Sequence, residues 1–600
     1  MPGLVGIIAK DAAFKARPVV DAMVKTMMHE KSYVSGIEAN AGLLATVAWV
    51  AHKGSFAASM PVWNESKTAC LIFAGENFPC NGDSSAPANR GEYLLRLYET
   101  QGTRCFKHFN GIFSGVILDC REKKAVLFND RFGLGRIYWR ETADGLYFAS
   151  EAKALLKAQG EGRALDPRGL GEFFSCGCVL QNRTLFSGIS LLPAASAWTV
   201  RPGAPAQKET YFSPEQWAAR PELPASEYYS RLRDAFARIL PRYFSGSSRV
   251  ALSLTGGLDS RMIMAWAPCT PYKLHTFTFD GMYRECADAR VARQVAKTAQ
   301  QYHESIKLNR KFFAEFPALA KRCVYFTDGT MDVSGAVDLF MNKMAAQIAP
   351  VRLTGNYGDE ILRGNVAFRP GGISEAAFNA DFAQRYREAA QAYAQERAGS
   401  PLSFIAFKQM PWHHYSRLAL EQSQLVVRSP YLDNELVDLA FQAPRDMAVN
   451  RALAFQLIDE GNPQFRRIQT DRGRIAQMTF IPGKVRRFAQ EFMPRAEYMY
   501  DYGMPQWMAP MDRALSRLHL ERLFLGRQKF YHFRLWYRNE LAGYVKEVLL
   551  DERSLARSYL DAAQVKRIVQ EHVEGTGNHT LEIHRLLTAE SLQRQLIERL

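Results

Sequence analysis

The residues with the clearest capacity for chemistry are Thr255-Gly256-Gly257-Leu258-Asp259-Ser260. Ahead of them Val250, Ala251, Leu252 and Leu254, with Ser253 among them, form a short apolar run that fits a buried parallel strand. Behind them Arg261 to Trp266 can continue as a helix. Strand, glycine turn and helix start, in that order, aim backbone N–H groups at an anion. Gly256 and Gly257 let the main chain approach phosphate oxygens, and the hydroxyls of Thr255 and Ser260 add donors. Asp259 repels a bare phosphate but suits a magnesium ion that bridges phosphates. A bare Gly-Gly pair would be an ordinary turn; hydroxyl–Gly–Gly–x–Asp–Ser behind an apolar strand is more specific.

The loop 255–260 resembles the pyrophosphate loop, Ser-Gly-Gly-x-Asp-Ser, of ATP pyrophosphatases, with Thr for the first Ser. It is not a Walker A loop, whose Gly-x-x-x-x-Gly-Lys-Ser/Thr is absent. The resemblance implies cleavage of ATP between its α- and β-phosphates. It places Leu252, Ser253, Leu254, Thr255, Gly256, Gly257, Asp259 and Ser260 around the nucleotide, with Thr278 from the next strand and Gly355.

A second stretch, Thr354-Gly-Asn-Tyr-Gly-Asp-Glu-Ile-Leu-Arg-Gly364, follows a short apolar strand at 351–353. It resembles the Ser-Gly-Glu-Gly-Ser-Asp-Glu loop of asparagine synthetases, which faces ATP. Loops at the carboxyl ends of adjacent parallel strands are where such sheets bind ligands, so Asp259 and Asp359 are expected to share magnesium. By itself, an Asp in a Gly-rich turn is a turn residue. Asn356 and Tyr357 replace the middle of the family loop; the related β-lactam synthetases also carry a Tyr there. The family's lysine for the amide-forming step is not evident near 452–457, which leaves Arg451 as its candidate replacement. Tyr357 and Glu360 are the candidate bases for an attacking amine.

The elements needed to carry these loops follow from pattern. Residues 1 to about 200 read as β-rich, with strands expected at 4–9, 71–74, 111–118, 125–129, 145–149 and 196–200 and helices at 91–101 and 151–157. Three landmarks in this part resemble the N-terminal-nucleophile glutaminase domain of asparagine synthetases. They are Phe73-Ala-Gly-Glu-Asn77, Asn110-Gly-Ile-Phe113 with Asp130-Arg-Phe-Gly-Leu-Gly-Arg-Ile-Tyr138, and Ala149-Ser-Glu-Ala-Lys-Ala-Leu155. That family attacks glutamine with a cysteine at the position after Met1, where this chain has Pro2, which carries no thiol. Ala74 stands where the family has an oxyanion-stabilising Asn, a group worth several kcal/mol in comparable sites. The family's Arg-Gly-Pro-Asp segment is not recognisable between His29 and His52. Glutamine hydrolysis is therefore not expected, and this domain reads as a retained fold.

A Pro-rich stretch at 206–227 reads as a linker or extended cover. A helix at 228–243, with Tyr229, Leu232, Ala235, Phe236 and Leu240 on one face, leads to the nucleotide strand. A strand at 274–279 and a helix at 287–301 continue an α/β pattern. Val427-Arg-Ser-Pro-Tyr-Leu-Asp-Asn-Glu-Leu436 resembles the family's Arg-x-Pro-Phe-Leu-Asp signature, and residues 551–600 resemble its closing helices. The expected architecture is an αββα sandwich over 1–205, the linker 206–227, and an α/β ATP-pyrophosphatase domain with a helical C-terminal part over 228–600.

Composition agrees with a soluble multidomain protein: 600 residues, 47% hydrophobic and 23% charged. No apolar run reaches transmembrane length, and the apolar stretch 41–51 reads as buried strand or helix. The start lacks a basic region and cleavage site. Nine cysteines, without metal-ligand spacing, fit a reducing cytoplasm, and Cys176 and Cys178 read as core thiols. The net charge of +15 is concentrated in C-terminal segments such as Lys484-Val-Arg-Arg487 and 513–527, which read as solvated helix faces. No nucleic-acid motif and no membrane segment is expected. The expected activity is adenylation of a carboxylate by ATP and magnesium, followed by amide or lactam formation with ammonia or another amine. The expected partners are small-molecule carboxylates and amines, and a homodimer is compatible with the sequence. Three alternatives stay open: asparagine synthesis proper, another ATP pyrophosphatase activity such as tRNA modification, and a non-catalytic pseudoenzyme.

Overall fold

The computed structural model describes residues 2–79, 91–371, 373–445, 447, 451–471, 496–515 and 525–600. The basic segment Lys484-Val-Arg-Arg487 and part of 513–527 lie outside them.

In the first third, short runs of β-branched and aromatic residues broken by Gly, Asn and Asp turns give strands. These are β1 (Gly3–Ala9), β2 (Tyr33–Asn40), β3 (Ala45–His52), β4 (Val62–Trp63), β5 (Ala69–Gly75), β6 (Phe113–Asp119), β7 (Lys124–Asn129), β8 (Tyr138–Glu141), β9 (Gly145–Ala149), β10 (Ser190–Leu191), β11 (Ser196–Val200) and β12 (Gln207–Thr210). They form two antiparallel six-stranded sheets, ordered β10-β8-β9-β1-β3-β2 and β12-β11-β7-β6-β5-β4. β1 and β3 face β5, which places the sheets face to face. Helices Ala16–Met27 and Ala152–Gln159 cover the first sheet, and Gly91–Gln101 covers the second, giving αββα layers. β1, buried along its whole length, lacks polar alternation because both its faces are covered. Phe73, Phe106, Phe113 and Phe128 stack at the centre, with Phe106 and Phe128 centroids 4.3 Å apart. Each such pair adds about 0.5–1.5 kcal/mol beyond the area it buries.

The stretch expected as a linker is folded onto this sandwich. β12 pairs with β11 at the sheet edge, Trp217 is 3% exposed against Phe132 and Phe407, and the Leu223 N–H donates to the Gln442 carbonyl at 2.9 Å. Two of its prolines, Pro214 and Pro224, stand immediately before helices Glu215–Ala218 and Ala225–Phe244, where a missing N–H costs nothing. Cys176 and Cys178 are buried in a small side cluster with Leu180, Phe368 and Phe404, and burial pushes the Cys176 thiol up to about 12.

Helix Ala225–Phe244 then delivers the chain to a parallel sheet of β13 (Val250–Ser253), β14 (His275–Asp280), β15 (Tyr302–Lys307), β16 (Val351–Thr354) and β17 (Val426–Arg428). Its order is β15-β14-β13-β16-β17. The chain works outward from β13 to β15, then returns to the other side of β13 with β16. That reversal separates the loops leaving β13 and β16 and opens a crevice at their carboxyl ends. The rest is mostly helical and closes with Ala562–Glu574 and Thr580–Leu592. Among the described residues no helix is long and apolar enough to cross a membrane.

The Arg-Ser-Pro-Tyr-Leu-Asp stretch joins the two parts. Arg428 makes a bidentate pair with Glu76 (2.6 and 2.7 Å) and donates to the Tyr243 and Ser245 carbonyls. The Asp433 carboxylate accepts from Asn110 (2.9 Å), Arg242 (2.6 Å) and the Tyr243 hydroxyl (3.0 Å). Glu76 and Asn110, two of the first part's landmarks, are thus committed to this interface.

Candidate functional site

The loop after β13 and the loop after β16 come together as the sequence anticipates. A Cβ on Gly355 would stand 2.6 Å from the Ser260 nitrogen, and one on Gly358 would stand 2.7 Å from the Asp259 carboxylate. Only glycines allow so close an approach. The contact lets Tyr357 enter the left-handed region (φ +75°) and starts helix Gly358–Arg363, with Asp359 and Glu360 in its first turn. Two hydrogen bonds from the Arg428–Asp433 stretch hold both loops in register: the Tyr431 hydroxyl donates to the Asp259 carbonyl (2.8 Å), and Ser429 donates to the Asn356 carbonyl (2.7 Å). The fully buried Arg261 donates to the Gly256 carbonyl and to the carbonyls of Ile468 and Gln469, which pins the first loop from below.

Between the loops lies a cavity of about 310 Å³, walled by Ser253, Thr255, Gly257, Asp259, Ser260, Gly355, Tyr357, Asp359 and Glu360 among others. Most residues expected around a nucleotide are brought together here. Leu252, Leu254, Gly256 and Thr278 are not in the wall. The two leucines are fully buried in the sheet, the Gly256 N–H donates to Asp288 (2.9 Å), and the Thr278 hydroxyl donates to the Leu254 carbonyl. Arg451 does not reach the wall: it heads helix Ala452–Gly461, which packs on the helix Leu258–Ala265. In the first loop, the Thr255 N–H donates to Ser260 Oγ (3.0 Å), and the two hydroxyls lie 3.0 Å apart.

Asp259 and Asp359 converge on one cation, Arg363. Its Nη2 lies 2.7 Å from Asp259 Oδ1, and its Nε donates to Asp359 Oδ1, while Asn365 donates to Asp359 Oδ2 at 2.6 Å. Burial pushes the Asp259 carboxyl up to about 6, and the Arg363 charge limits the rise. Arg363 Nη1 is buried without a hydrogen-bond partner among the described residues, and Arg363 itself stands behind the cavity wall. Two carboxylates that share one guanidinium bring their negative charge to one place. Among the described residues no group of three or more protein ligands forms a closed metal cage. That set fits magnesium, which takes one or two carboxylates and fills its shell with phosphate oxygens and water.

Arg363 was legible as a residue of the second loop but not as a counter-ion. Its removal gives a direct test. In Arg363→Ala the carboxylates repel, the thermal midpoint falls, and millimolar Mg²⁺ raises it. Mg²⁺ at about 100 times its Kd is worth about 2.7 kcal/mol in the variant and much less in the parent. Equal Mg²⁺ shifts in differential scanning fluorimetry would contradict this arrangement.

Glu360 lies 3.6 Å from His414 Nε2, and burial, with Asp259 and Asp359 nearby, raises its carboxyl to about 7. His414 is lowered to about 3 by burial, next to His413 and Arg417, and is neutral. Tyr357 is buried, edge-on to the His414 ring at 5.9 Å, and burial drives its phenol well above its ordinary value. It stays protonated, so of the two candidate bases Glu360 is the one suited to accept a proton. Arg352, on β16, bridges Ser253 (3.1 Å), Asn342 (2.9 Å) and Glu421 (3.1 Å). Arg352, His414 and Arg417 carry no motif; only their place on β16 and on the long helical stretch 401–422 brings them in.

Both parts of the chain resemble known proteins. Residues 1–212 match the glutamine amidotransferase domain model, and residues 231–454 match asparagine synthase. Asparagine synthetase (glutamine-hydrolyzing) 1 of Bacillus subtilis (strain 168) is 24% identical over 324 residues, 52% of this chain and 50% of that protein. Asparagine synthetase (glutamine-hydrolyzing) of Zea mays is 31% identical over 104 residues, 16% and 18% of the two chains. The chain spans about half the length of the curated relatives it matches over the longest stretches. Among solved structures, glutamine phosphoribosylpyrophosphate amidotransferase from B. subtilis complexed with ADP and GMP covers 52% of this chain and 91% of its own at 10% identity. Its TM-score is 0.26, too low to argue from. With the two domain models matched in this order and the two loops meeting at the switch point of the parallel sheet, the chain belongs to the asparagine synthetase family.

Proposed function

We propose that this protein is an ATP-dependent, AMP-forming ligase that adenylates a carboxylate and joins it to an amine without hydrolysing glutamine. The observation that carries the reading is the meeting of the 255–260 and 355–360 loops, with Asp259 and Asp359 on a single cation. Thr255, Ser260 and the glycine main chain hold the pyrophosphate end of ATP. Asp259 and Asp359 hold magnesium, which when bound neutralises the charge of the departing pyrophosphate. Glu360 takes the proton of the amine as it attacks the activated acyl group.

Four features support a glutamine-independent amine. Pro2 has no thiol, Ala74 replaces an oxyanion donor, and the glutamine carboxylate clamp is not recognisable between His29 and His52. Glu76, beside Ala74, is held by Arg428. A carboxylate-dependent ATP–pyrophosphate exchange assay, followed by amide analysis with ammonium or glutamine as amine source, tests the reading. Exchange with one acid, and amide formed with ammonium but not with glutamine, is expected. Exchange with aspartate would favour ammonia-dependent asparagine synthesis. Exchange with no acid despite ATP binding would favour a pseudoenzyme.

A carboxylate base works only when ionised, and burial raises Glu360, so the amide-forming rate is expected to rise with pH as Glu360 ionises. In Glu360→Gln that limb disappears. A single-turnover pH profile reads it, and an unchanged limb in the variant would exclude Glu360.

A further inference from the structure

A second cavity, of about 280 Å³, lies against the first, and Arg417 walls both. Its other charged walls are Asp332, Asp338 and Lys529, and its aromatic walls are Tyr498, Tyr502, Tyr531 and His584. Residues 498, 502, 529, 531, 581 and 584 all lie beyond residue 454, where the asparagine synthase match ends. The nucleotide cleft therefore lies within the span matched to asparagine synthase, and six of the chamber's eleven wall residues lie beyond that span.

Lys529 is the distinguishing group. Its Nζ sits over the rings of Tyr502 (4.9 Å), Tyr498 (5.2 Å) and Tyr531 (5.7 Å) and has no acidic partner among the described residues. Ring faces attract a cation but leave its N–H donors free for an anion. Arg417 has Asp338 at 3.4 Å yet keeps 51% of its side chain exposed, because it faces cavity space. On the opposite charge, Asp332 takes both the Ser334 N–H and hydroxyl on Oδ1, leaving Oδ2 without a protein partner among the described residues. His584, lowered by burial, is neutral and is held by the Tyr502 (3.0 Å) and Tyr537 (2.8 Å) hydroxyls, so it adds a ring without a charge.

We infer that this chamber is the acceptor site of the ligase, and that its substrate is a zwitterion with an apolar or aromatic body. Lys529 and Arg417 receive its carboxylate side, Asp332 receives its ammonium, and the tyrosine rings pack its body. Arg417, common to both cavities, hands the acid to the nucleotide cleft. This inference rests on the ligase reading above.

The test is calorimetric titration of the full chain with Mg²⁺ and a non-hydrolysable ATP analogue, using three probes: L-phenylalanine, 3-phenylpropionate and phenethylamine. Phenylalanine is expected to bind tightest. Lys529→Gln weakens phenylalanine and phenylpropionate by about tenfold and spares phenethylamine, and Lys529→Arg restores both. Asp332→Asn weakens phenylalanine and phenethylamine by about tenfold and spares phenylpropionate. The nucleotide analogue binds all four proteins alike. If the analogue binds but no probe does, or the variants bind as the parent does, the chamber assignment is overturned and the ligase reading stands. If the parent does not bind the analogue, the ligase reading fails and this assignment with it.

Discussion

Asp259→Asn is expected to lower carboxylate-dependent ATP–pyrophosphate exchange by about 10³-fold or more, the scale on which loss of a charge-stabilising group slows such steps. The substitution keeps the shape of the side chain. The Asp259 main chain stays fixed by the Tyr431 hydroxyl at 2.8 Å, so the loop has no reason to move. What is lost is one of two negative charges that face a shared cation. Asp359 cannot compensate, because it approaches Arg363 from the other loop and pairs with Asn365. In thermal unfolding the variant is expected to lose about 1–3 kcal/mol of stability, because Asp259 gives up its charge against the buried Arg363 while keeping an oxygen to accept from it. Exchange within tenfold of the parent would remove Asp259 from the chemistry.

The largest effect on stability is expected from Arg428→Met, at about 3–5 kcal/mol, the usual cost of breaking a buried ion pair from one side. Arg428 is 5% exposed and faces Glu76, and it also caps the Tyr243 and Ser245 carbonyls. Its loss removes the bidentate partner of the Glu76 carboxylate and the donor to two carbonyls at the junction between the αββα sandwich and the parallel sheet. Urea unfolding should therefore separate into two transitions, with the combined free energy reduced. The double variant Arg428→Met, Glu76→Gln should recover part of the loss, since no carboxylate then faces the methionine. A loss below about 1 kcal/mol would mean that the interface does not depend on this pair.

The parts of the fold that sequence discloses are those governed by local rules. β13, its glycine turn and the following helix are readable because apolar run, glycines and hydroxyl residues act within about ten positions. Helix 91–101 and the face Tyr229, Leu232, Phe236, Leu240 follow from 3.6-residue periodicity. β2 and helix Ala16–Met27 were not anticipated. β2 mixes Ser, Gly, Glu and Asn, and its strand state comes from pairing with β3 along eight residues. The 206–227 stretch reads as a linker on proline content alone, yet Tyr211, Phe212 and Trp217 bury their rings, a tertiary effect that composition does not carry.

The site divides the same way. Asp259, Asp359 and Glu360 lie in motifs and are found by them. Arg363 lies in the same quoted stretch, but its role depends on where a six-residue helix points its last turn. His414 and Arg417 sit some 50 residues further on, in a helical stretch whose middle, Ile405–His414, is a π-helix around Pro411. Nothing local marks them. Tyr357 illustrates the reverse: the sequence offers it as a base, and burial removes that role by keeping its proton on.

The central claim is that a carboxylate attacks the α-phosphate of ATP at the junction of the two loops. Once exchange has identified the acid, that acid labelled with ¹⁸O in its carboxylate, turned over with ATP, Mg²⁺ and an amine, tests it most directly by mass spectrometry of the nucleotide product. One ¹⁸O atom in AMP, none in pyrophosphate, and loss of both products in Asp259→Asn is the predicted result. Label in inorganic phosphate with ADP as the nucleotide product, or unlabelled AMP, would contradict it.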